Sequence, residues 1–210
     1  MPSDDASVLC QAFGRIDTYF ANAGIMPQYT SIEDTTEESF MRCLRVNTLG
    51  PFLAIKHASK AMETAEEGGA IICTASIAAI RADVTPLEYS ASKGAVISMV
   101  RSSADRLLGS GIRVNCVVPG GVVTSITTQV AQEMDNRGQS LKGYDMESFP
   151  PADPTAVAKV VRFLASEDSE FVNGQAIVAD GGMSNSMGFR LVKKKKDFKN
   201  KFEKGMSRKD

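Results

Sequence analysis

Tyr89 and Lys93 stand four residues apart in the run YSASK, near the start of a helix-like segment. That spacing puts both side chains on one helix face. A phenol titrates at about pH 10 and exchanges protons poorly at neutrality. A neighbouring ammonium favours the phenolate, which makes the pair a candidate acid–base. The same spacing is met on many surface helices, so its meaning depends on what surrounds it. Ser76 closes the apolar run ICTAS, thirteen residues before Tyr89. Ligands bind parallel sheets at strand ends, so a hydroxyl there could hold a substrate carbonyl while Tyr89 passes a proton. A serine ending a strand in an ordinary turn is the plainer alternative. Asn47 lies inside a helical pattern in VNTLGPF. Asn is unfavourable there and Gly50-Pro51 strains the helix further. A kink holding a water and a tolerated polar residue at a bend both fit.

Two turns add backbone that can approach a ligand closely. Asn22-Ala23-Gly24 follows the first apolar run, and Pro119-Gly120-Gly121-Val122-Val123-Thr124 follows the third. Either could also be an ordinary strand-ending turn.

The elements that must position these residues alternate along the chain. Asp5 to Phe13 reads as the end of a helix stopped by Gly14. Residues 16–21 (IDTYFA), 70–74 (AIICT), 112–118 (IRVNCVV) and 175–179 (QAIVA) read as strands. Thr35 and Glu38 are spaced as a capping box opening a helix to about Ala65, with Gly68-Gly69 beyond it. Pro86 starts another helix, to Leu108, before Gly109 and Gly111. Asp153-Pro154 sets a cap and first residue for a third, to Ala165. Residues 124–151 have weak periodicity and read as an irregular lid. Strands separated by helices of this length predict βαβ crossovers and a parallel sheet covered on both faces.

Composition narrows the function classes. The 210 residues are 43% hydrophobic and 23% charged, as in an ordinary globular domain. No apolar run approaches the roughly 18 residues that span a bilayer, and charges among the first 20 residues argue against a signal peptide. Four cysteines (Cys10, Cys43, Cys73, Cys116) without C-x-x-C, and one His, predict reduced packing thiols in the cytoplasm and no metal. Residues 190–210 hold ten Lys/Arg and three Asp/Glu, a basic tail on an acidic body. Within it Phe198, Phe202 and Met206 recur every four residues, so a short amphipathic helix is one reading and a solvated tail another. The boundaries are a domain over 1–185 and a tail over 186–210.

The chain resembles the short-chain dehydrogenase/reductase family. The matching text is ANAG at 21–24, VNTLGPF at 46–52, ICTAS at 72–76, YSASK at 89–93, RVNCVVPGGVVT at 113–124 and NGQAIVADGG at 173–182. The resemblance implies an α/β fold, an NAD(P)-binding Rossmann-like doubly wound parallel sheet. It implies an oxidoreductase interconverting a secondary alcohol and a ketone by hydride transfer, with NAD or NADP as cofactor. Tyr89 would be the acid–base. Lys93 would lower its pKa and bind the nicotinamide ribose. Ser76 would position the carbonyl, and Asn47 would support a water in the proton relay. Asn22, Ala23 and Gly24 would sit beside the cofactor's ribose, with Pro119 and Gly120 in the turn from which Val122 and Thr124 contact the carboxamide. The partners implied are a small-molecule substrate and a second copy in a homo-oligomer, with neither nucleic acid nor a membrane span.

The sequence departs from the family pattern in two places. Ala75-Ser76 replaces the frequent pair of serines but keeps the second. No T-G-x-x-x-G-x-G loop is present to bind the pyrophosphate at a helix N-terminus. The expectation is a sheet lacking its first βαβαβ segment, with weak dinucleotide binding and an uncertain activity. The competing readings are a non-catalytic fragment acting as an interaction or structural module, and a binding module built on the basic tail.

Overall fold

The computed structural model describes residues 12–65, 68–81, 85–128, 132 and 151–185. The helix expected over 5–13 lies mostly outside them, as do most of the 124–151 lid and the basic tail. Each apolar run forms a strand: β1 (Thr18–Ala21), β2 (Gly69–Thr74), β3 (Ile112–Pro119) and β4 (Ala176–Ala179). All pair in parallel, in the order β1-β2-β3-β4. The helices are α1 (Glu37–Leu44), α2 (Gly50–Ala65), α3 (Leu87–Arg106) and α4 (Pro154–Ala165). This is the doubly wound arrangement the alternation predicts.

Side-chain alternation along β2 explains the two layers. Ile71 and Cys73 face α2 and α3, packing with Ile55, Met62, Val96 and Val100. Ala70 and Ile72 face the other way, against Leu164 of α4. A strand covered on both faces has to be apolar throughout, and the four middle residues of β2 are all buried.

The connections use local chemistry. Gly68 has φ of 69°, and a Cβ there would meet the Gly111 carbonyl oxygen at 2.4 Å, so only glycine fits. Asp153 caps α4 by accepting from the Thr155 N–H at 2.8 Å. Arg113, pointing out of β3, donates to the Leu164 and Ser166 carbonyls at the other end of α4 (3.0 and 3.2 Å). Asn115 zips β4 onto β3: its amide donates to the Val172 carbonyl at 2.7 Å and its oxygen accepts from the Gln175 N–H at 2.9 Å.

The long helix expected over 35–65 is broken. Arg45–Leu49 form one wider π turn between α1 and α2, with Asn47 at its centre and fully buried. Such turns occur often at functional sites.

Candidate active site

The π turn points Asn47 at the chain leaving β1. Its Oδ1 accepts from the Ile25 N–H and its Nδ2 donates to the Ile25 carbonyl, both at 2.8 Å. The same Nδ2 reaches Ser92 Oγ at 3.1 Å and Cys43 Sγ at 3.3 Å. Ser92 Oγ in turn donates to the Tyr89 carbonyl at 2.7 Å. Asn47 thus ties the turn after β1 to the first turns of α3. The sequence suggested a bend at Asn47 but not these partners. Ser92 was within the YSASK run, and its only signal was a small hydroxyl at the third position after Tyr89.

Lys93 is buried on α3, and among the described residues its ammonium has one hydrogen-bond acceptor, the Thr74 carbonyl at 2.8 Å. Thr74 Oγ1 also donates to Asn22 Oδ1 at 2.9 Å, which pins the ANAG turn to the end of β2. A Cβ on Gly24 would lie 3.3 Å from both Asn47 Oδ1 and Lys93 Nζ, so glycine lets the backbone pass between them. Ser76 caps the short turn Ile77–Ala79, its Oγ accepting from the Ala78 N–H at 3.2 Å, and its hydroxyl is near enough to the Tyr89 side chain to pull the phenol's pKa down. Asn22, Gly24, Asn47, Ser76, Tyr89 and Lys93 therefore gather at the C-terminal ends of β1 and β2.

The turn after β3 follows the strand paired with β2 and is held by its own contacts. Gly120 is demanded by packing, since a Cβ there would meet Asp180 Cβ at 2.8 Å. Val122 is buried, and its carbonyl accepts from Thr127 Oγ1 at 2.7 Å. The Thr124 N–H donates to the same hydroxyl at 2.9 Å. Among the described residues the Pro119–Thr124 turn makes no hydrogen bond to the Tyr89 cluster.

Electrostatics are governed by desolvation. Burial pulls the Lys93 ammonium down from 10.5 to about 8. Burial raises the Tyr89 phenol, against the pull of the Ser76 hydrogen bond. Lys93 Nζ lies 5.8 Å from the Tyr89 ring centroid. In the chain by itself desolvation outweighs any lowering of the phenol. Cys73 and Cys116 are free, and burial raises them to about 12 and about 11, so they are protonated packing groups.

The Lys93 shift has a consequence for stability. An amine that deprotonates near 8 in the fold and 10.5 in the unfolded chain releases protons on folding. Stability from this group is therefore lowest below pH 8 and rises as pH climbs toward 10.5. Urea denaturation at pH 7 and pH 9 should show the native chain gaining on Lys93→Met across that interval. An unchanged difference between the two proteins would contradict a buried, depressed Lys93.

The lone ammonium acceptor at Lys93, the close-packed glycine at 24 and the Ser76–Tyr89 pair fit the ribose and nicotinamide side of a dinucleotide. Among the described residues no group of acidic, His and Cys side chains is placed to hold a metal, and no helix is long and apolar enough to cross a membrane.

A family model described as enoyl-(acyl carrier protein) reductase matches residues 6–184. The chain belongs to the short-chain dehydrogenase/reductase family. It is 37% identical over 178 residues to short-chain dehydrogenase reductase 4 of Arabidopsis thaliana, covering 81% of this chain and 58% of that protein. It is 38% identical over 189 residues to momilactone A synthase of Oryza sativa subsp. japonica, covering 84% of this chain and 66% of that protein. The crystal structure of levodione reductase superposes with a TM-score of 0.79 at 29% identity, covering 86% of this chain and 71% of that one. The chain spans 58–68% of the length of the first curated relatives it matches. Short-chain dehydrogenases/reductases are generally NAD(P)-using oxidoreductases acting on small molecules.

Proposed function

We propose that these residues form the acid–base side of an NAD(P)-dependent oxidoreductase that interconverts a secondary alcohol and a ketone. Ser76 Oγ holds the carbonyl oxygen in place. Tyr89 gives its proton to that oxygen in reduction and takes it back in oxidation. Lys93 offers its remaining ammonium hydrogens to ribose hydroxyls and favours the phenolate once it stands against the phenol. Asn47 keeps the turn after β1 in register with α3. NAD or NADP, when bound, supplies or accepts the hydride. The single observation carrying this reading is the convergence of Ser76, Tyr89 and the buried, singly accepted Lys93 at the ends of β1 and β2.

A polypeptide of these 210 residues has no T-G-x-x-x-G-x-G, and dinucleotide affinity depends heavily on backbone N–H groups around the pyrophosphate. The nicotinamide side alone does not offset the entropy of fixing a large flexible ligand. We therefore expect weak binding and little turnover from this polypeptide by itself. Assembly as a homo-oligomer belongs to the same proposal.

The test joins these residues to an N-terminal βαβαβ unit carrying the missing glycine-rich loop. Ketone-dependent oxidation of NADH or NADPH is expected from the joined protein and should be strongly reduced by Ser76→Ala. Oxidation that Ser76→Ala leaves untouched would overturn the assignment.

A further inference from the structure

Two buried residues of α3 stand one place before the reacting pair: Glu88 precedes Tyr89, and Ser92 precedes Lys93. Spaced by four, they share a helix face of their own, about 100° around α3 from Tyr89 and Lys93. Ser39 and Cys43, also four apart, meet that face from α1, and Asn47 continues the row in the π turn. Ser39 Oγ donates to Glu88 Oε1 at 2.9 Å and Cys43 Sγ to Ser92 Oγ at 3.7 Å. Thr48 Oγ1 donates to the Ser92 carbonyl at 3.2 Å. Burial raises the Cys43 thiol, and the nearby Glu88 carboxylate adds to the rise. A polar seam therefore joins α1 to α3, one residue out of step with the acid–base pair.

Stability does not account for Glu88 in this seam. It is 1% exposed, and its Oε2 has no hydrogen-bond partner among the described residues. A buried acceptor without a partner costs free energy, and an apolar side chain of similar size would avoid that cost. What the carboxyl adds is direction, because a hydrogen bond fixes an orientation that apolar contact leaves free. The start of α3 needs such a tie. Pro86 offers the helix no side-chain cap. Thr85 and Ser90 pair their hydroxyls at 2.9 Å within the same stretch of chain and bind it to no other element. The Ser39–Glu88 bond links this first turn, which carries Tyr89, to α1.

We propose that Glu88 is a positioning residue: through Ser39 it seats the first turn of α3 against α1, and so sets where the Tyr89 hydroxyl stands relative to Ser76. The inference rests on the acid–base reading only for what that hydroxyl does.

The test separates position from stability. Glu88→Met removes the unpaired oxygen, so the urea midpoint of the full 210-residue chain should stay at or above the parent's. Amide hydrogen exchange at Ser90 to Lys93, the N–H groups that close the first turns of α3, should nevertheless run about tenfold faster or more. In the joined protein the same variant should lose about tenfold in kcat with KM nearly unchanged, as misplacement of a reacting group does. Glu88→Gln keeps an oxygen to accept from Ser39 and should restore both readings. An acidic residue that served only the dipole of α3 would not be rescued by Gln. Ser39→Ala breaks the same bond from α1 and reads the same way if Glu88→Met does not fold. Unchanged exchange at 90–93 would overturn the proposal. So would faster exchange in every helix with a fallen urea midpoint, Gln behaving as Met, or an unchanged kcat. The exchange measurement uses no cofactor, so a joined parent without turnover would count against the acid–base reading alone.

Discussion

Tyr89→Phe should lower turnover by roughly 10²- to 10⁴-fold in the protein that carries the glycine-rich unit, the usual worth of a positioned general acid–base. The substitution keeps the ring and removes the phenol hydroxyl, whose pKa the Ser76 hydroxyl pulls down. Substrate binding does not depend on that proton, so the loss should fall on kcat rather than KM. Lys93→Met should act in the same direction, since it leaves the phenol in a desolvated site without a nearby cation. Steady-state kinetics of the variants against the parent decides the matter. Near-parental kcat in Tyr89→Phe would mean that another group moves the proton.

Asn47→Leu should destabilise the fold by about 3 kcal/mol, since it strips the partner from two backbone groups at once. The Ile25 N–H and carbonyl both rely on the Asn47 amide. Ser92 also loses its donor there, and the first turns of α3 lose their tie to the chain leaving β1. Leucine is close in size to asparagine, so a cavity is not the cause. Urea denaturation of the two chains measures the loss. A change below about 1 kcal/mol would show that water replaces the amide at Ile25.

Much of this architecture was legible because its causes are local. Residues 70–74 and 112–118 are mostly apolar because both faces of a parallel sheet are covered, and they became β2 and β3, with the buried Asn115 as the exception. Asp153-Pro154 announced the start of α4 by cap chemistry, and the structure uses that cap. The strand expected from Ile16 begins at Thr18, where pairing with β2 begins, although Ile16 is still buried in the core. The π turn at Arg45–Leu49 was visible only as a misplaced Asn before Gly-Pro. Its form depends on Ile25, 22 residues earlier, and no periodicity reports that pairing.

The site was legible to the extent that its spacing is helical. Tyr89 and Lys93 share a face of α3 as four-residue spacing demands. The Lys93–Thr74 and Asn22–Thr74 bonds arise from register between strands and were not readable from the chain. Glu88 was missed as well. It is buried beside Tyr89, its Oε1 accepts from Ser39 Oγ at 2.9 Å, and its Oε2 has no partner among the described residues. A charged residue next to the reactive Tyr in an exposed-looking helix start gave no sign of that burial.

The most direct test of the central claim follows the hydride itself. The joined protein is given a ketone that it reduces, with NADH or NADPH deuterated at both C4 positions, and the product alcohol is analysed by mass spectrometry and ²H NMR. One deuterium should appear on the carbinol carbon, and its rate of appearance should collapse in Tyr89→Phe. An alcohol without deuterium, or a transfer that proceeds equally well without the Tyr89 hydroxyl, would contradict the account.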